Sequence, residues 1–183
     1  MRFIKILFFS DIHGIYTNLE HIKNLDIKEN FDKIIVLGDL YYTGPNNDNI
    51  ENFNSRRVKD FLTLYKDKLI CLRGNCDSDV DIKASDFPIC DKLALIHVDN
   101  INIYCTHGNE YNIEKSEKLE KDCILVYGHK HYPFIEKHEG KIFINVGSIS
   151  LPKNNSKPSY CIYFEKTFNI YNIEGNIIDN ITI

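Results

Sequence analysis

Nothing in the 183-residue chain approaches the ~20 consecutive apolar residues that a membrane-crossing helix needs. Positive charge is also scarce: 22 Lys and Arg face 26 Asp and Glu, a formal net charge of −4. Broad binding to nucleic acid or to an anionic membrane wants a basic face, so neither is expected as a partner. None of the six cysteines (71, 76, 90, 105, 123 and 161) forms a C-x-x-C pair. Cys71, Cys105, Cys123 and Cys161 fall inside apolar strand-like runs, where cysteine acts as a small buried hydrophobe. A disulfide framework is therefore not expected. Internal repeats, low-complexity tracts and linkers are lacking too, and the length suits one domain over residues 1–183. The opening Met1-Arg2-Phe3-Ile4-Lys5-Ile6 lacks the layout of a secretory signal, which gives a cytoplasmic expectation.

What is present is the composition of a folded protein, 43% hydrophobic and 12% aromatic. Arg2 to Ser10 is apolar at almost every position, the pattern of a strand buried on both faces. Thr17-Asn18-Leu19-Glu20 has the form of a capping box opening a helix that carries Leu19, Ile22 and Leu25. A second strand is predicted over Lys33–Leu37 and a third over Lys68–Leu72. Between them Gly44-Pro45-Asn46-Asn47 signals a turn, and Ser55 is placed as N-cap of a helix with the stripe Val58, Phe61, Leu62, Tyr65. Strands alternating with helices imply parallel pairing through right-handed crossovers. The second half is richer in strands. Leu93–Val98 and Ile101–Cys105 read as a hairpin about Asp99-Asn100, and a short charged helix is predicted near Ile113–Glu120. Strands follow at Cys123–Tyr127, Pro133–His138, Lys141–Asn145, Ser159–Phe164, Thr167–Ile173 and Ile177–Ile183. The class is mixed α/β with two sheets, and the C-terminal hairpins offer surface for a homo-oligomer.

Polar residues with metal-binding or acid–base chemistry sit just past the ends of these strands. Asp11 and His13 follow the first, Asp39 the second and Asn75 the third; His107, and then His129 with His131, follow later ones. Strand ends are where loops of an open α/β sheet converge on a ligand. Two carboxylates, four imidazoles and one amide exceed the three or four protein ligands of a single catalytic zinc. They suit two divalent ions a few ångström apart with one carboxylate shared. Nitrogen and oxygen donors without thiolate fit Mn, Fe, Zn, Co or Ni. Such a pair clamps a phosphoryl group and brings a bound water's pKa toward ~7.

In this order Asp11-Ile12-His13-Gly14, Gly38-Asp39, Gly74-Asn75-Cys76-Asp77, His107-Gly108 and Gly128-His129-Lys130-His131 resemble the motifs of the calcineurin-like metallophosphoesterase superfamily. The whole chain is similar to its small bacterial YfcE-type phosphodiesterases, through Gly44-Pro45, Arg73 to Ser78, Phe87-Pro88-Ile89, Asn145-x-Gly147-Ser148 and Pro152-Lys153 as well. The resemblance implies a four-layer α/β/β/α sandwich of two mixed β-sheets flanked by helices. It implies Asp39 bridging two divalent transition-metal ions, manganese foremost, with Asp11, His13 and His131 on the first and Asn75, His107 and His129 on the second. The implied activity is a dinuclear metal-dependent phosphodiesterase, in which a metal-activated hydroxide attacks a small phosphodiester while Asn75 helps to stabilise the phosphoryl oxygens.

Cys76 stands where many superfamily members have His, and is read either as a group beside the leaving oxygen or as a space-filler. Asn109 and Asn46 occupy positions where relatives often carry His and Arg. Asp77 is expected to fix the loop or an imidazole, and Arg73 to be structural or to contact phosphate. Tyr41 and Tyr42 either line the pocket or pack, and His21, His97 and His138 are ordinary. Two other functions come with the fold. A non-catalytic scaffold would have lost metal ligands, whereas here every ligand position is filled; a nuclease is disfavoured by the acidic balance.

Overall fold

In the computed structural model, residues 3–43 and 51–183 are described; Arg2 and the expected turn at Gly44-Pro45-Asn46-Asn47 lie outside them. The first sheet takes its core from β1 (Ile6–Phe9), β2 (Lys33–Val36) and β3 (Leu69–Leu72), paired in parallel in that order. Helices α1 (Leu19–Glu29) and α2 (Ser55–Thr63) make the two crossovers. The two-residue β4 (Ile89–Cys90) continues this parallel edge. On the other edge β10 (Ser159–Phe164), β11 (Thr167–Asn172) and β12 (Ile177–Thr182) add an antiparallel meander, with β10 against β1. The second sheet has the order β5 (Leu93–Val98), β6 (Ile101–Thr106), β7 (Ile124–Tyr127), β9 (Lys141–Val146), β8 (Pro133–His138). Its central pairs are parallel and its edges antiparallel. The expected class, two mixed sheets with flanking helices, is the one observed.

Alternation along the strands assembles the layers, because successive side chains leave a strand on opposite faces. Leu7 and Phe9 of β1, with Ile34 and Val36 of β2, meet Leu19 and Ile22 of α1 and Val58, Phe61 and Leu62 of α2. Their neighbours Ile6, Phe8, Ile35 and Leu37 face the other way. They pack on Ile103, Cys105, Val126 and Ile144 of the second sheet. The opposite face of that sheet, with Leu125, Tyr127 and Phe143, is covered by Leu119 and Cys123. Burial on this scale, at ~25 cal/mol per Å² of apolar surface, makes the sandwich a rigid support for its loops.

Several local expectations are corrected. The segment 113–120 is a chain of turns and no helix. Asn112 captures its backbone: Oδ1 accepts from the Glu114 amide at 2.8 Å and Nδ2 donates to the Gly108 carbonyl at 2.7 Å. Such side-chain bonds compete with helical ones. The Thr17–Glu20 capping box does not form. Helix α1 starts after Asn18, whose amide is drawn to the Ile149 carbonyl, while Glu20 accepts from the Tyr16 hydroxyl. Asn54 caps α2 through the Arg57 amide, and Ser55 donates instead to the Tyr41 carbonyl. A six-residue helix, α3 (Asp79–Ala84), is capped by Ser78 and Asp81. It buries no side chain, so no apolar stripe announces it. Among the described residues no helix is long and apolar enough to cross a membrane.

Candidate metal centre

Five loops meet where the parallel strands end. The loops after β1 and β2 run side by side, with the amides of Asp11, His13 and Gly14 donating to the carbonyls of Gly38, Asp39 and Leu40. From the second sheet the Gly128 amide donates to the His107 carbonyl at 2.9 Å. Asn145 and Ser148 tie the two sheets' loops together. Asn145 Nδ2 donates to the Gly128 carbonyl, and Ser148 Oγ donates to the Asp11 carbonyl at 2.8 Å while accepting from the Leu151 amide.

All seven candidate ligands converge. Asp11, His13, Asp39 and His131 each offer an atom within 4.8 Å of the others. His13 Nε2 lies 3.4 Å from His131 Nε2 and 3.6 Å from Asp39 Oδ2. His107 Nε2 lies 3.4 Å from the same Asp39 oxygen, 3.0 Å from Asn75 Oδ1 and 3.2 Å from His129 Nδ1. Asp39 Oδ2 therefore stands between two clusters, and its Oδ1 accepts from the Cys76 amide at 2.8 Å. Asp11, His13, Asp39, His107 and His131 are buried; His129 is half-buried and Asn75 exposed, so the open side of the centre is theirs.

The tautomers follow from what lies behind the rings. His13, His107 and His131 each turn Nδ1 to a backbone carbonyl, of Tyr42, Leu37 and Leu151 respectively. A carbonyl only accepts, so Nδ1 carries the proton and each neutral ring points its Nε2 lone pair inward. Two such lone pairs 3.4 Å apart cannot bond each other. The buried Asp11 Oδ1, for its part, accepts no hydrogen bond among the described residues. This donor set fits a cation. The backbone carries a second mark of function: Asp11, His13, Asp39, His129 and His131 all have φ between 52° and 66°. A left-handed non-glycine residue costs on the order of 1–3 kcal/mol, and such strain gathers at functional sites. Gly74 and Gly128 permit the close approach, since a Cβ on either would collide with Asp39 or with Ser10 and Asp11.

Asp77 holds this backbone from below, its carboxylate accepting from the amides of Asp39, Leu40 and Gly74 at 2.7–2.9 Å. Arg73 donates to the Asp77 carbonyl and pairs with Asp79. Lys130 turns away to Glu114. His21, His97 and His138 lie elsewhere, against Tyr160, Asn102 and Glu139. The carbonyls of Leu37, Tyr42 and Leu151 have no signature in sequence, because any residue could supply them.

Burial opposes charge throughout the centre, and the charge pairs prevail over it at Asp11 and His107 but not at His129. Burial works against the Asp11 carboxylate, but His13 and His131 outweigh it and hold the group well below the usual range. Burial lowers His107, while Asp39 and the Asp11 charge raise it further, to about 9. His129, desolvated and facing His107, is lowered. A raised imidazole pKa gives stability that is fully present below 6.5 and is lost as pH rises through about 9. The chelator-treated chain should thus lose thermal stability between pH 6.5 and 9, as measured by circular dichroism melts. A flat profile over that window would contradict the His107–Asp39 coupling.

Comparison with known proteins gives the family and the fold. Residues 4–167 match the model of the calcineurin-like phosphoesterase superfamily domain. The chain is 35% identical over 158 residues to phosphodiesterase YfcE of Escherichia coli strain K12, covering 86% of this chain and 85% of that one. A solved structure of YfcE, described as a phosphoesterase from E. coli, superposes with a TM-score of 0.92 at 30% identity, over 98% of this chain and all of its own. Vps29 from Cryptosporidium parvum shares the fold at a TM-score of 0.69 and 15% identity, over 99% of each chain.

Proposed function

The chain belongs to the calcineurin-like phosphoesterase superfamily and is a metal-dependent phosphoesterase; on that premise we propose a dinuclear phosphodiesterase acting on small phosphodiesters. The observation that carries this reading is the inward convergence of imidazole Nε2 atoms on one carboxylate oxygen, Asp39 Oδ2, 3.6 Å from His13 and 3.4 Å from His107. Asp11, His13 and His131 would hold one ion, Asn75, His107 and His129 the other, and Asp39 both. Manganese is the first choice, with Fe, Zn, Ni or Co suited to the same donors. When bound, two such ions supply Lewis acidity to phosphoryl oxygens and a nucleophile available near neutral pH.

The remaining steps belong to side chains of the rim. Asn75 sets Oδ1 beside His107 Nε2, 3.0 Å away, and turns Nδ2 toward Cys76 and the open side, where it can donate to an equatorial phosphoryl oxygen. Burial and Asp39 push the Cys76 thiol up to about 12, which makes it a weak donor in place of an imidazole acid. Diesters with good leaving groups should therefore react best. A scaffold role like that of a protein devoid of ligands is disfavoured by the filled donor set. The test is hydrolysis of bis-p-nitrophenyl phosphate by chelator-treated protein before and after Mn²⁺ is restored. Turnover should appear only with metal; turnover that persists in excess chelator would reject the reading.

A further inference from the structure

Two cavities flank the cleft formed by His13, Asp39, Asn75, His129 and His131, and they differ in chemistry. The one beyond Asn75, about 320 Å³, is polar, and its Arg73 and Lys92 are already paired with Asp79 and Glu110. The other, about 740 Å³, is walled by Tyr41, Tyr42, Phe53, Cys76 and Ala84, with Arg56 on its lining. Cys76 lines both this cavity and the cleft, so the two spaces adjoin at that residue. Tyr42 links them a second way, since its carbonyl meets His13 Nδ1 while the residue, 48% exposed, lines the cavity.

We propose that this aromatic cavity is the subsite for one ester group of the diester, and that the group is a planar aromatic ring, phenyl to nucleoside in size. The proposal rests on the phosphodiesterase reading and adds the chemistry of the substrate's ester. Size supports it, because the cavity lies within the ~300–1,000 Å³ of small-molecule sites and would leave a methyl or ethyl ester mostly uncontacted. The walls are already in place. The Tyr41 hydroxyl bonds Ser85 Oγ at 2.8 Å, Ser55 Oγ donates to the Tyr41 carbonyl, and the Phe53 ring lies against Gly14. Phe53, 47% exposed, is not among the core clusters, which leaves a face free to stack. Lys59 is paired with Asp86, whereas Arg56 is exposed and has no ion pair among the described residues; its guanidinium can lie on a ring face.

The test is calorimetric titration of manganese-loaded protein with methylphosphonate and with phenylphosphonate, which share the head group and differ in the ring. Phenylphosphonate should bind about tenfold tighter or more, the worth of burying and stacking one ring. Phe53→Ala should bring that ratio toward one. So should Ala84→Leu, which fills the cavity from an exposed position on α3 and removes no packing. A ratio near one in the unaltered protein, or a tenfold ratio preserved in both variants, would overturn the subsite while leaving metal-dependent hydrolysis intact. Failure of both phosphonates to bind, together with absent hydrolysis of bis-p-nitrophenyl phosphate, would overturn the phosphodiesterase reading and the subsite with it.

Discussion

Asp39→Asn should lower kcat for bis-p-nitrophenyl phosphate on the order of 10³-fold, because Lewis-acid stabilisation is worth several kcal/mol and each ~1.4 kcal/mol is tenfold in rate. The substitution is sparing in its geometry. Asparagine keeps an oxygen that can accept from the Cys76 amide as Oδ1 does now, at 2.8 Å. What changes is the oxygen between His13 Nε2 and His107 Nε2, which becomes an amide nitrogen with two protons and no charge. The buried imidazoles lose their anionic partner and, on the proposed dinuclear reading, the ligand common to both ions. Metal analysis of the variant should fall well below that of the unaltered protein, and its melts in chelator should lose much of the pH dependence between 6.5 and 9 that the His107–Asp39 pair confers. A variant with full rate would remove Asp39 from the centre.

Asp77→Ala acts through the backbone instead. Its carboxylate is the acceptor for three buried amides, those of Asp39, Leu40 and Gly74. Leaving a buried donor unsatisfied costs about 1–3 kcal/mol, so the loss should reach at least ~3 kcal/mol. In a chain of this length ~1 kcal/mol moves Tm by about 2–4 °C, which puts the expected fall at roughly 6–12 °C or more. Activity should fall too, since Asp39 sits at a φ of 54° that these amide bonds hold in place. Asp77→Asn keeps one acceptor oxygen and should lie between the two. A thermal melt of Asp77→Ala within a degree of the unaltered protein would show that the loop is held by something else.

The sequence made the centre more legible than the architecture around it. Asp11, His13, Asp39, Asn75, His107, His129 and His131 could be picked out because side-chain chemistry and strand ends coincide locally, and each coincidence needs only a few residues. The parallel β1–β2–β3 core was equally plain, because strands buried on both faces are apolar at nearly every position. Which sheet the C-terminal strands join was not: β10 pairs with β1 across most of the chain and brings β11 and β12 with it, a choice set by tertiary packing. The misplaced caps at Thr17 and Ser55 have the same origin, since Asn18 and Ser55 spend their hydrogen bonds on Ile149 and Tyr41. The helix expected over 113–120 gave way to the bonds of one residue, Asn112. The two-residue β4 is too short to carry a period. The left-handed backbone of His13, His129 and His131 runs against residue preference, so only its neighbours in space could reveal it.

The most direct measurement is metal stoichiometry on active material: equilibrium dialysis against Mn²⁺, elemental analysis, and the rate on bis-p-nitrophenyl phosphate from the same sample. About two ions per chain are expected, with turnover rising as the second site fills. A chain that saturates at one ion, or that holds two and stays inert, would contradict the dinuclear phosphodiesterase.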